Sequence, residues 1–530
     1  MAELQALGPG VARGGSRRCV APALALLVAT LVFLSGCRMP AVRRDAEVAR
    51  FDAALAARQS ADGLAPATPL SLERCVEIAL ARNLDQRVRA LQLSLSDEHV
   101  RQALADGLPS LSVTAGDTRR SNDPLVAFGG GEPVLMEDQH LQSVTVQGVI
   151  PVLDWGTTYY AWTIAKDRRR QQQLLLERSR QVLVRDVRCA YVRLASAQRQ
   201  ERLSRVATLA AKELLKVARS LEREGLQAKA ATAEIEAGAA LAALAWSSAR
   251  RGVEQTHMAL AQLLSLPPGA AFSVNDAEAP LRPVVAGAEI ARLEQSALEN
   301  RPELQAQDLQ RHIAAGTVRQ RIAELFPRVD ALPSYNWSSL STAVNPSYWR
   351  FGVQVSEKLL NGGRNLADLR LAKKEVSVEE ERTLLLTLGV LYEVDLRLLQ
   401  LYALHDTVLA RQALVVARTE ALRLVVSRYV QGLESGSDAV RTLADSYSAR
   451  IDLDRAKTDY GAAWFELETA APTAGVGQAG APPAAPSALP PYQPAPVLDT
   501  YPSLLDAAPP VDLQQFPDLQ ELLKSGKMPD

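Results

Sequence analysis

From Gly156 to Gly225 the chain contains neither glycine nor proline, and from Arg364 to Gln431 only Gly389 interrupts. Two stretches of about 68 residues that hold a single glycine between them cannot fold back within a compact globule. As helices rising about 1.5 Å per residue, each runs on the order of 100 Å. Aromatic residues are also scarce, at 5% of the chain against 47% apolar residues overall. The apolar content is carried by Ala, Leu and Val, which excludes a thick aromatic core and favours long helices with narrow packed seams. An excess of charge of either sign is missing: 59 Lys and Arg oppose 60 Asp and Glu, a net charge of -1, so no nucleic acid or other polyanion is expected as a partner. Cysteine is rare too. Cys75 and Cys189 are widely spaced and read as separate buried thiols, which leaves no disulfide framework.

The amino terminus is different. Arg13, Arg17 and Arg18 precede an apolar stretch, Cys19 to Leu34, that is too short for a comfortable membrane span. It ends in Leu34-Ser35-Gly36-Cys37, which resembles the bacterial lipobox. That resemblance implies cleavage before Cys37, a covalent lipid on its sulfur, and, with Arg38 following, sorting to the outer membrane. Residues 1–36 are therefore a lipoprotein signal peptide and 37–67 an anchor and leader. At the other end prolines crowd the segment 471–530 among alanines, so it reads as a flexible tail.

The body between them is written twice. Ala79-Leu80, Val100-Arg101-Gln102 and Leu108-Pro109 recur at one constant offset as Ala297-Leu298, Val318-Arg319-Gln320 and Phe326-Pro327. Asp154-Trp155-Gly156 and Gly225-Leu226 recur at a shorter offset as Asn361-Gly362-Gly363 and Gly432-Leu433. The first copy, 68–287, thus carries an insertion between Pro109 and Gly156 that the second, 288–470, lacks. Each copy begins with a helix of roughly thirty residues ended by a proline. The apolar period then shortens to two: Leu111, Val113, Ala115 and Val144, Val146 in one copy, Val329, Ala331, Tyr335, Trp337 and Phe351, Val353, Val355 in the other. Each strand pair leads into a long helix, a glycine turn and a second helix, as in an antiparallel coiled coil.

Four strands with one apolar face cannot close a barrel. A sheet laid against lipid must close to satisfy its backbone, so several copies of the chain have to share it. Two copies give eight strands and a filled interior, and three give twelve with a passage.

With these parts the chain resembles the TolC family of outer-membrane factors over roughly residues 68 to 470. The specific matches are Ser71-Leu72-Glu73, Ala79-Leu80, Leu108-Pro109-Ser110-Leu111, Pro151-Val152-Leu153-Asp154-Trp155-Gly156, and Tyr429-Val430-Gln431-Gly432-Leu433 followed by Asp438. The resemblance implies a mainly α fold with a small transmembrane β part: a homotrimer with a twelve-stranded barrel continued by a periplasmic α-barrel. It implies a passive export duct of a tripartite efflux or type I secretion system, served by a periplasmic adaptor and an inner-membrane pump. It also places Tyr429, Gly432 and Asp438 at the periplasmic constriction. Glu434 and Arg441 depart from the family by exchanging charges, so a latch of reversed polarity is expected between them. Ala231 occupies the place of Asp438 in the first hairpin. Adaptor contact falls to Gly225-Leu226 and Gly432-Leu433, each a tight turn with an apolar knob.

An adaptor-type periplasmic lipoprotein is the alternative, but it needs one hairpin where this chain has two. An enzyme finds no support. Gly475, Gly477 and Gly480 have dinucleotide spacing but follow a helix in the tail, and the five histidines have no partner at metal-ligand spacing. No cofactor is expected beyond the lipid on Cys37.

Overall fold

The computed structural model describes residues 44–60, 69–122, 125–126, 134–135, 138–276, 281–285, 287–356, 362–431 and 433–472. The chain divides into a unit ending at Leu64 and a larger unit from Ala65 onward. Cys37, the glycines 129–131 and the tail beyond Pro472 lie outside the described residues. The first unit contributes helix α1, Arg44–Ser60, a solvated leader helix with Asp45 and Glu47 in its first turn.

In the larger unit the duplication is visible element by element. The first copy holds α2 (Leu72–Arg82), α3 (Leu84–Ala105), β1 (Ser110–Arg119), the short β2 (Leu125–Val126) and β3 (Val134–Leu135), β4 (His140–Leu153), α4 (Thr157–Arg223) and α5 (Lys229–Leu263). The second holds α6 (Gly287–Asn300), α7 (Pro302–Ala323), β5 (Arg328–Ser338), β6 (Ser347–Ser356), α8 (Gly362–Val430) and α9 (Gly436–Ala470). The long stretches that lack proline and hold almost no glycine are the 67-residue α4 and the 69-residue α8.

The single opening helix of roughly thirty residues expected in each copy is instead two helices. Asn83 leaves the helical region at ψ 126 and caps both neighbours, its side chain accepting from Gln86 N. Its amide also donates to Leu263 O at 3.0 Å, so the break is held by a residue far away in sequence. In the second copy Arg301 occupies the same place and Pro302 starts α7, where its missing N–H costs nothing.

Arg301 also ties the second copy together. Only 1% exposed, it donates from Nε to Ala470 O at 2.6 Å and from Nη1 to Glu393 at 2.6 Å. Arg178 on α4 donates to Thr469 O at 2.8 Å. Two arginines thus satisfy the last carbonyls of α9, where the helix dipole favours cations. Around them Val394, Leu398, Leu401, Tyr460, Ala463 and Leu467 form a seam between α8 and α9. The alanines keep that seam thin, as the composition requires.

Cys75 and Cys189 are both buried and unbridged. Burial pushes the Cys75 thiol up to about 12 and the Cys189 thiol up to about 11.

Candidate functional site: a two-faced sheet continued by helices

The four long strands form one antiparallel sheet in the order β1-β4-β5-β6. Directly paired residues share a face, so the register sorts the side chains. One face carries Leu111, Val113, Val144, Val146, Ile150, Val329, Ala331, Tyr335, Trp337, Trp349, Phe351, Val353 and Val355. The other carries Ser112, Thr114, Thr145, Gln147, Asp330, Ser334, Asn336, Tyr348, Arg350 and Gln354. Their exposure is inverted relative to a soluble protein: Phe351 is 79% exposed, whereas Asp330 is 9%. One apolar face and one polar face are what a barrel wall needs when lipid lies outside and water inside.

Aromatic side chains mark both ends of the apolar band. Tyr335, Trp349 and Phe351 cluster toward the loop end, with ring centroids 5.1 and 6.4 Å apart. At the helical end Trp155 stacks on Phe326 at 5.0 Å and its indole N–H donates to Pro327 O at 2.8 Å. From Val144 to Leu153, at about 3.4 Å per residue and a tilt of about 40°, the wall is about 25 Å high. That matches the hydrocarbon of an outer membrane. No described helix is long and apolar enough to cross a membrane.

The turn from sheet to helix is sharp. Trp155 and Gly156 both have positive φ, 54° and 88°. For Trp this costs on the order of 1–3 kcal/mol, which the indole contacts offset. The Asp154 carboxylate then accepts from Gly156 N at 2.9 Å and Thr158 N at 3.0 Å, satisfying the start of α4.

All four strands join their helices at this same end. There α3, α4, α7 and α8 pack side by side in that order. The outermost helices present unpartnered seams: Leu84, Val88, Leu91 and Leu95 on α3, and Leu384, Leu388, Tyr392, Leu396 and Leu399 on α8, each about half exposed or more. The sheet has its free edges, β1 and β6, in the same two copies of the repeat.

Far along the helices lie the two hairpin turns. Gly225 sits at φ 73, Leu226 N donates back to Leu221 O at 2.9 Å, and Leu226 is 73% exposed. In the second hairpin Leu433 N donates to Arg428 O at 2.9 Å, the same six-to-one closure, with Leu433 equally bare. Gly432 lies outside the described residues.

The expected constriction residues gather at this second turn. Ser435 caps α9: its hydroxyl accepts from Asp438 N at 3.1 Å and donates to the Asp438 carboxylate at 2.8 Å. Tyr429 is half-buried against Gly436, and burial raises its phenol above the usual value. The expected pairing of Glu434 with Arg441 is not the one found within the chain. Arg441 pairs with Asp438 at 3.2 Å, and Glu434 lies 4.0 Å from Arg428. Arg441 follows Asp438 by three positions, about one helical turn, so this short-range pair wins.

The packing beneath the turns escaped the sequence reading. Ile235 and Ala218 of the first hairpin bury themselves with Val440 of the second. Gly238 and Gly436 make room for them. Gly238, one of two glycines inside α5, was the available signal.

Among the curated proteins no sequence match is found. Solved structures do match in fold. The Campylobacter jejuni CmeC outer membrane channel superposes with a TM-score of 0.67 at 15% identity, covering 75% of this chain and 85% of that one. The open-state Neisseria gonorrhoeae MtrE outer membrane channel gives 0.64 at 20% identity, covering 76% and 89%. A membrane protein from Pseudomonas aeruginosa gives 0.66 at 20%, covering 75% and 92%. The sequence profile of the outer membrane efflux proteins matches residues 75–265 and 293–472, the two copies of the repeat. With its duplicated strand pair, its two-faced sheet and its paired long hairpins, the chain belongs to the outer membrane efflux protein family.

Proposed function

We propose that three copies of this chain close into a passive export duct through the outer membrane and periplasm, the exit channel of a tripartite efflux system. One observation carries the trimer. The sheet and the helical layer each end in unpartnered edges on the same sides, β1 with α3 and β6 with α8. A neighbouring copy covers both at once. Three copies make twelve strands and leave a passage, whereas two would fill their own interior.

Lipid on Cys37 adds a membrane anchor to the barrel. A periplasmic adaptor meets the hairpin turns, with Leu226 and Leu433 as apolar knobs beside Gly225 and Gly432. An inner-membrane pump supplies the energy. Tyr429, Gly432, Glu434, Asp438 and Arg441 narrow the tip. The adaptor-type lipoprotein reading leaves an apolar sheet of membrane height without a use. The test is conductance: purified protein added to a planar bilayer should open steps of uniform size. Silent bilayers, with protein shown to be inserted, would end this reading.

A further inference from the structure

Among the described residues the polar face of the sheet carries three charged side chains, Arg328, Asp330 and Arg350. Arg328 and Asp330 neutralise each other at 2.8 Å. Arg350 has a neutral partner: its Nη2 donates to the Tyr348 hydroxyl at 2.8 Å, with the guanidinium 5.5 Å from the ring. Both residues lie on β6 opposite Ser334 and Asn336, on a floor of hydrogen bonds from Thr145 to Asn336 and from Asn336 to Ser334. Tyr348 props the guanidinium above that floor, and Arg350 itself stays exposed. Among the described strand residues one uncompensated positive charge per chain therefore lies on the polar face.

We propose that Arg350 is a charge-selecting residue of the duct and that the barrel favours anionic solutes. This rests on the closed trimer proposed above, in which three copies of Arg350 ring the lumen in its loop-end half. Fixed charges on a water-filled passage with low-dielectric walls concentrate the opposite ion. At the far tip Asp438 has Arg441 as its cation, so that carboxylate is not a charge of comparable isolation. Screening limits the reach to about 10 Å at 0.1 M salt and about 3 Å at 1 M, so the selectivity is a low-salt property.

The experiment reads the chloride-to-potassium permeability ratio from reversal potentials in planar bilayers near about 0.1 M KCl. Wild type is compared with Arg350→Gln and Arg350→Glu. The ratio should fall by about twofold or more for Glu, less for Gln, with open conductance retained and with the difference fading at about 1 M. Arg350→Cys gives a second arm that needs no folding of a charge reversal. Cys75 and Cys189 are buried, so a cationic methanethiosulfonate added to the assembled pore should restore the wild-type ratio and an anionic one should lower it further. Conducting pores whose ratio is the same in wild type and all three variants would overturn the proposal while leaving the duct intact. Wild-type protein that inserts without conducting would overturn the duct, and the selectivity with it.

Discussion

Val440 of the second hairpin seats against the bare backbone of Gly238 in the first, where an added Cβ would lie 2.6 Å from its Cγ1. Ile235 fills the reciprocal notch at Gly436, where an added Cβ would lie 2.7 Å from its Cδ1. The two hairpins thus interlock just behind their turns, through apolar contacts that neither hairpin can make alone. Replacing Gly238 by Val overpacks this site and should cost about 1–3 kcal/mol, partly recovered by better helix propensity. The expected result is a lower melting temperature together with larger single-channel conductance, because the tip can no longer close. Conductance unchanged in a folded variant would show that this interlock does not hold the tip.

Asp438 and Arg441 form the charged part of the same tip. Removing the arginine leaves the carboxylate capped by Ser435 but without its cation, so Arg441→Ala should strengthen divalent-cation block and Asp438→Ala should weaken it. Block curves that coincide for wild type and both variants would place the constriction elsewhere along the tube.

The lipid is a chemical expectation from four residues, Leu34 to Cys37. Cells fed a clickable palmitate should label the wild-type chain, and Cys37→Ala should abolish the label. A variant that still labels carries its lipid elsewhere.

The buried thiols make a negative prediction with a defined pH range. With Cys75 pushed up to about 12 and Cys189 up to about 11, neither forms appreciable thiolate at pH 8. Iodoacetamide should leave both unmodified in the folded protein and alkylate both in denaturant. Rapid modification of the native protein would mean that α2 or α9 does not pack on α4 as described.

The long helices and their turns were legible because absence of glycine and proline is a local signal that no packing overrides. The strand faces were legible for the same reason: alternation is local, and the register only had to align what each strand already carried. What the sequence hid depends on partners distant in the chain. Asn83 is an ordinary helix residue until Leu263 offers it a carbonyl. The latch expected between Glu434 and Arg441 assumed that exchanged charges keep their old partners, yet a carboxylate one turn away is the nearer one. Gly238 was visible as an interior helix glycine, but so was Gly252, beside which an added Cβ would meet nothing, and nothing local says that Gly238 alone faces Val440.

The central claim is that the free edges of sheet and helical layer are closed by copies of the same chain. Native mass spectrometry of the detergent-solubilised protein tests it most directly. A single species at three times the protomer mass is expected, with no free protomer at working concentration. A monodisperse monomer, or a dimer with its eight strands, would contradict it.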